Sequence, residues 1–328
     1  MAETLALVGS DTLMGRELRD LLAGSAFGEN LRLIAADDEA AGILTEQGGE
    51  PSLVTKLDLS SFDGASAVLL AGSAASTLRV LDLNPGASLI DLTHAAEERP
   101  NARLRAPMVE PHDYRVAPDA INVVAHPAAI ALALALGRIH ATHPIRRSIV
   151  HVFEPASERG LSGVNELQEQ TVNLLSFKPL PKKVFDNQLS YTLLARLGED
   201  APVRLADVES RIERHLTTLL AISSGAPIPS LRLLQAPVFH GHSFSLWIEF
   251  IENPGAAKLE IALAGEPFDV RASDGEPPNN VGVAGQNGVA IGGITEDRNC
   301  AQALWIWMAA DNLRLAAENA VQVAREVA

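Results

Sequence analysis

The first forty residues narrow the fold more than any other stretch. "TLALVGS" is a compact apolar run of strand length, "GRELRDLLAGSAF" spaces its apolar residues as an amphipathic helix does, and "LRLIAADDE" is a second strand. Strand, helix and strand in that order make a βαβ unit, the opening of a doubly wound α/β fold. Further short apolar strands are predicted at "SAVLLAGSAA", "ASLIDLTHA" and "INVVAHP", the last ending at the sheet's C-terminal rim, where open α/β sheets bind ligands. After residue 140 the strands lengthen and alternate with polar residues, as in "RRSIVHVFEPAS" and "HSFSLWIEFI", with helices at "GVNELQEQTVNLL" and "DVESRIERHLTTLL".

A chain of 328 residues exceeds the usual size of one core, so two domains are expected. The boundaries read as a Rossmann-like dinucleotide-binding domain over residues 1–128, completed by a terminal helix over 310–328, and an α+β dimerisation and substrate domain over 129–309. The Gly-, Pro- and Asn-rich tract 274–288 is predicted to be a surface loop. Lys and Arg total 26 against 41 Asp and Glu, and a net charge of -15 argues against nucleic acid and anionic membrane surfaces as partners. A single cysteine, Cys300, leaves neither a disulfide framework nor a thiolate metal cage. The start "MAETLALVGS" lacks the basic and long apolar regions of a signal peptide, and "PAAIALALALGRIH" is short of a membrane span, so a cytoplasmic location is expected.

"ALVGSDTLMGREL" occupies the place of a dinucleotide-binding turn. Gly9 stands where the strand turns and Gly15 where the helix must pack closely, but the middle glycine is replaced by Thr12. Thr12 adds bulk and Asp11 adds negative charge where two phosphates would lie, so weak binding is expected. Asp37, 22 positions after Gly15, is placed to accept from a ribose 2′-hydroxyl and to repel a 2′-phosphate, which favours NAD over NADP.

A second turn, in "INVVAHPAAIALALA", leads from a strand straight into an apolar helix. A side chain there lies beside the free N–H groups and positive dipole end of the helix, which suits a nucleophile and its developing oxyanion. The turn carries Ala128 and Ala129. His240 and His242, one residue apart in an expected strand, would share a face and could hold a metal with His126, but no carboxylate completes the set, so no metal is assigned. The simpler expectation is a hydrogen-bonded His242 at a cleft with a solvent-exposed neighbour, and Trp305 and Trp307 packing a core or subunit interface.

Together, "VGSDTLMG", "AHPAAI", "FEPASERG", "APVFHGHS" and "DNLRLAAENAVQ" resemble the aspartate-semialdehyde dehydrogenase family across nearly the whole chain, and in particular its Usg-type paralogues. The resemblance implies that Ala129 stands at the nucleophilic cysteine of an Asn-Pro-Asn-Cys turn, His126 and Ala128 at its asparagines, His242 at the general base, Gln235 at a substrate-binding arginine and Glu154 at a substrate-side glutamine. An acidic and basic helix pair corresponds to Glu209 with Arg211 or to Glu213 with Arg214, and a phosphate-binding arginine to Arg99 or Arg103. The cofactor set is Gly9, Thr12, Gly15, Asp37, Gly72 and Asn312, for NAD or NADP. The expectation is a family member without activity, retaining a ligand-binding or dimerisation role as a homodimer, or as a heterodimer with an active paralogue. The alternative is an NAD(P)-dependent oxidoreductase using His242 or His126 in noncovalent acid–base chemistry.

Overall fold

The computed structural model describes residues 4–37 and 41–328, so Asp38 and Glu39 of the acidic "IAADDE" stretch lie outside the described residues. The chain divides into two compact units, one comprising Met1–Ala125 and Ala316–Ala328, the other His126–Leu315.

The first unit is built on β1 (Thr4–Val8), β2 (Leu31–Ile34), β5 (Ala65–Leu70), β6 (Ser88–Asp91), β7 (Ala102–Arg105) and β8 (Ile121–Val124), all paired parallel in the order β2-β1-β5-β6-β8-β7. Side-chain alternation along β1 feeds two cores. Leu5 and Leu7 pack with Leu18 and Leu22 of α1 (Leu13–Leu22) and with Ala317, Ala320 and Val321 of α8 (Asn312–Val327). Ala6 and Val8 pack with Val80 of α3 (Ala74–Leu83). Helices therefore cover both faces, which is the doubly wound arrangement the sequence predicted. Each fully buried leucine contributes roughly 1.5–3 kcal/mol of hydrophobic stabilisation.

A hairpin of β3 (Leu44–Gln47) and β4 (Glu50–Leu53), a short helix α2 (Ala26–Glu29) and a 3-10 turn (Leu59–Phe62) complete the described part of the unit. Buried Arg105, at the end of β7, forks onto Glu110, donates to Asn122 Oδ1 at 2.9 Å and pairs with Glu326 of α8. It ties the last strands to the terminal helix, whereas Arg99 and Arg103 are exposed.

The second unit carries a six-stranded mixed sheet of β9 (Ile145–Glu154), β10 (Ser230–Gln235), β11 (His242–Phe250), β12 (Phe268–Val270), β13 (Val289–Glu296) and β14 (Ala303–Ala310), in the order β10-β9-β11-β14-β13-β12. Helices α4 (Pro127–Thr142), α6 (Leu205–Ser223) and α7 (Ala256–Leu263) pack together, with α5 (Gly160–Leu175) following β9. α4 is apolar nearly all round and Pro127 to Ala133 are buried, as expected of a core helix. On β9, Val150, Val152 and Glu154 are buried while Arg147 and Ile149 are exposed. Ile149 stands opposite Trp247, and Trp247 opposite Trp305, so one apolar row runs across three strands. Among the described residues no helix is long and apolar enough to cross a membrane.

Candidate functional site

At the opening of α4, His126 is the N-cap and Pro127 the first helical residue, a position where a missing N–H costs nothing. The His126 ring accepts the Ala128 N–H through Nδ1 at 3.2 Å, while its own backbone N–H donates to His215 Nδ1 of α6 at 3.0 Å. An Nδ1 that accepts carries no proton, so the neutral ring holds its proton on Nε2. Ala128 and Ala129 are fully buried on this turn. The N–H that a strand-to-helix turn would offer a developing oxyanion is thus taken by the protein's own imidazole.

β9 delivers Glu154 beside Gln235 of β10, its partner in the parallel ladder. Both are fully buried, and Gln235 Nε2 donates to the Glu154 carbonyl at 2.8 Å while its Oε1 finds no partner. The chain then forms a 3-10 turn, Ala156–Arg159, held by Ala156 N–H to the Val238 carbonyl and Ser157 N–H to the Phe239 carbonyl. Two charges follow from that turn. Arg159 comes within 2.6 Å of Glu154 Oε1 in an ion pair without the alignment of a hydrogen bond. Glu158 points between two imidazoles, with Oε2 at 3.5 Å from His126 Nε2 and Oε1 at 3.9 Å from His242 Nε2.

The two histidine rings lie 5.7 Å apart. Asn312, at the start of α8, fastens the cluster. Its Nδ2 donates to Glu158 Oε1 at 2.8 Å, and its Oδ1 accepts from Ser157 Oγ and from the Gly241 N–H, each at 3.1 Å.

Burial dominates the electrostatics. It pushes the Glu158 carboxyl up to about 7, helped by the negative charges of Glu154 and Asp311 and opposed by the Asn312 hydrogen bond and by Arg159. It pushes the His242 imidazole down to about 3, with the positive charge of Arg159 adding to the effect. At Glu154 burial raises the carboxyl and Arg159 opposes it. Near neutral pH the centre therefore holds a neutral His242 beside a carboxyl close to half-protonated.

Two expectations, for His242 and for His240, need correction. Among the described residues His242 has no hydrogen-bond partner on either ring nitrogen, so it is not the hydrogen-bonded histidine expected from the sequence. His240 lies outside the strand, separated from it by Gly241 at φ +81, so the two histidines do not share a strand face. Among the described residues no three His, Cys, Asp or Glu side chains form a metal-holding group. The α6 side chain whose hydrogen bond reaches the His126 backbone is His215, while Glu209 accepts from the Leu233 N–H. Cys300 precedes β14, whose far end, Ala310, pairs with His242. Seven strand steps at about 3.3 Å put roughly 23 Å between those ends.

In the first unit Gly9 has φ +83, and a Cβ there would fall 2.4 Å from Gly72 Cα, while one on Gly15 would fall 2.0 Å from the Gly9 carbonyl oxygen. Thr12 is the N-cap of α1. Its Oγ1 accepts from the Gly15 N–H at 2.9 Å and lies 2.8 Å from the Gly9 and Ala71 carbonyls, one of which takes its proton. Asp37 is exposed.

Residues 136–315 match the family of semialdehyde dehydrogenase dimerisation domains. The chain is 30% identical to the USG-1 protein homolog of Pseudomonas aeruginosa, covering 97% of this chain and 95% of that one. It belongs to the aspartate-semialdehyde dehydrogenase family, as a protein of the Usg type. It is also 27% identical to an aspartate-semialdehyde dehydrogenase of Prochlorococcus marinus, over 98% of this chain and 94% of that protein. A solved structure of a probable aspartate-semialdehyde dehydrogenase from Pseudomonas aeruginosa superposes with a TM-score of 0.86 at 27% identity, covering 99% of this chain and 98% of that one.

Within this dehydrogenase-family chain, the sequence reading found His126, Glu154, Gln235 and His242 but passed over Glu158, Arg159 and the bridging role of Asn312. The available signal was "FEPASERG": two adjacent charges following the end of a buried strand and preceding Gly160.

Proposed function

We propose that this chain keeps the fold of its family without thiol-dependent aldehyde chemistry, and acts through ligand binding or dimerisation. The observation that carries this reading is the first turn of α4, where fully buried Ala129 stands next to an Ala128 N–H already capped by His126. Covalent aldehyde oxidation needs a nucleophile to form the adduct from which hydride leaves, and an alanine cannot supply one. Gln235 points the same way, because a neutral amide lacks the fork geometry and charge with which an arginine grips a carboxylate. Glu154 and Glu158 place carboxyl groups, and among the described residues no unpaired cation, where an acidic substrate would need to be gripped.

The cofactor class that fits the β1–α1 turn is NAD or NADP. Gly9, Gly15 and Gly72 supply the close backbone packing that a pyrophosphate cradle needs, and Asp37 favours NAD. Such a cofactor accepts or donates hydride. The chain's own contribution would be the cradle, weakened by Thr12 at its middle position. Dimerisation is assigned to the second unit, in keeping with the family match and with the exposed apolar row on its sheet.

The test is turnover. Assayed with aspartate semialdehyde, phosphate and NAD or NADP, and in reverse with the acyl phosphate and reduced cofactor, the protein is expected to show none. Ala129→Cys alone is expected to restore none either. Turnover of about 1 to 10³ per second, the range usual for enzymes, would overturn the reading. A second reading, noncovalent acid–base chemistry, draws on the Glu158 cluster.

A further inference from the structure

Glu158 is an acidic side chain placed against both imidazoles of the site, 3.5 Å from His126 Nε2 and 3.9 Å from His242 Nε2. It is also the most accessible of the three, with 14% of its side chain exposed against 3% for His126 and 1% for His242. The His126 ring has a fixed tautomer: Nδ1 accepts the Ala128 N–H, so the Nε2–H of the neutral ring faces the Glu158 carboxyl. His242 is buried with both nitrogens unpartnered and Nε2 toward the same carboxyl. A carboxylate base beside an imidazole donor is one combination that supports proton abstraction next to a carbonyl, the imidazole holding the oxygen while the carboxylate takes the proton from carbon.

The geometry points to Glu158 as the acid–base group of a noncovalent site that exchanges a proton at the carbon next to an uncharged carbonyl, with His126 Nε2–H holding the carbonyl oxygen. A ligand oxygen that hydrogen-bonds to His126 takes the place now occupied by the carboxylate oxygen and leaves Glu158 beside the adjacent carbon. In the forward step the C–H electron pair becomes the enol C=C bond, the proton passes to Glu158 and the carbonyl oxygen takes the imidazole proton. The reverse step returns both, so no oxidant or reductant is consumed.

The ligand is uncharged because of what faces Glu158. Glu154 and Asp311 act on it as negative charges, the positive Arg159 is already paired with Glu154, burial holds His242 neutral, Asn312 is an uncharged amide, and His126, with His215 behind it, completes the surround. The inference rests on the absence of thiol chemistry, but its test involves neither phosphate nor cofactor, so the two can fail separately.

The probe is propanal in D2O at neutral pH, followed by proton NMR for loss of the signal at the carbon next to the carbonyl. Acid–base catalysis of this kind contributes about 10² to 10⁴-fold, and exchange at least about tenfold above buffer is the expected minimum. The rate should rise with pH through about 7, as Glu158 loses its proton. Glu158→Gln should abolish the enhancement while Glu158→Asp retains part of it, each checked by circular dichroism. Should Glu158→Gln fail to fold, the pH profile of the wild-type protein decides. Exchange at the buffer rate, a rate that does not rise through that pH range, or an enhancement that survives in folded Glu158→Gln overturns the proposal.

Discussion

Glu158 and His242 are shifted in opposite directions by the same burial, and this ties the site to folding stability. Glu158 rises from 4.5 to about 7, so the folded state binds its proton more tightly than the unfolded chain does. Its contribution is fully present below pH 4.5 and is lost as pH rises to about 7; with a partly exposed side chain it amounts to no more than about 3 kcal/mol. His242 falls from 6.5 to about 3, so its contribution is present above 6.5 and is lost as pH falls toward 3. Between pH 4.5 and 6.5 the two slopes oppose each other. Glu158→Gln removes the falling one, so the variant should gain stability from pH 5 to pH 7 more steeply than the wild type. Urea midpoints at the two pH values measure this, and identical slopes would show that Glu158 does not titrate in that window.

At the scale of elements, the β1–α1 turn is a backbone crossing that side chains cannot share. Gly9→Ala forces a Cβ to within 2.4 Å of Gly72 at a positive φ, and should destabilise the first unit by about 3 kcal/mol or more through overpacking and strain. Thr12→Ala removes a helix cap and one hydrogen bond to a neighbouring carbonyl and should cost about 1–2 kcal/mol. Thermal melts should rank the variants in that order, and equal losses would mean the turn is looser than this geometry. The βαβ opening was legible in the sequence because Leu5 and Leu7 on one face, Ala6 and Val8 on the other, and Leu18 with Leu22 keep their periods. The β3–β4 hairpin was not, since its Leu44 and Leu53 are exposed and no apolar face marks it. Within the site, His126 could be placed because it follows a strand and opens an apolar helix, whereas Gln235 was placed only by the family resemblance. Glu158 and Arg159 were passed over, because the bonds that hold their turn in the site, from Ala156 and Ser157 to the Val238 and Phe239 carbonyls, reach residues distant in sequence. His240 and His242 misled for a local reason: two-residue alternation assumes an unbroken strand, and Gly241 breaks it.

The whole molecule has to do something with the open face of its second sheet. Ile149 is 43% and Trp305 38% exposed, with Trp247 between them in register. The Trp247 and Trp305 indole N–H groups both donate to Asp297 Oδ2, at 2.8 and 2.9 Å, which fixes the rings. Rigid aromatic side chains of this kind lose little rotamer entropy on association and bury about 150–250 Å² each, and closed twofold dimers are the commonest assemblies. The expected species is therefore a homodimer formed through this face. Placing a charge at each end of the row, in Ile149→Arg with Trp305→Arg, would bury unpaired like charges across a twofold axis and should leave a folded monomer. Sedimentation of both proteins at micromolar concentration measures the outcome. A monomeric wild type would remove the dimer altogether, and a double variant that sediments as a dimer would move the interface to another surface of the second unit, away from the tryptophan row.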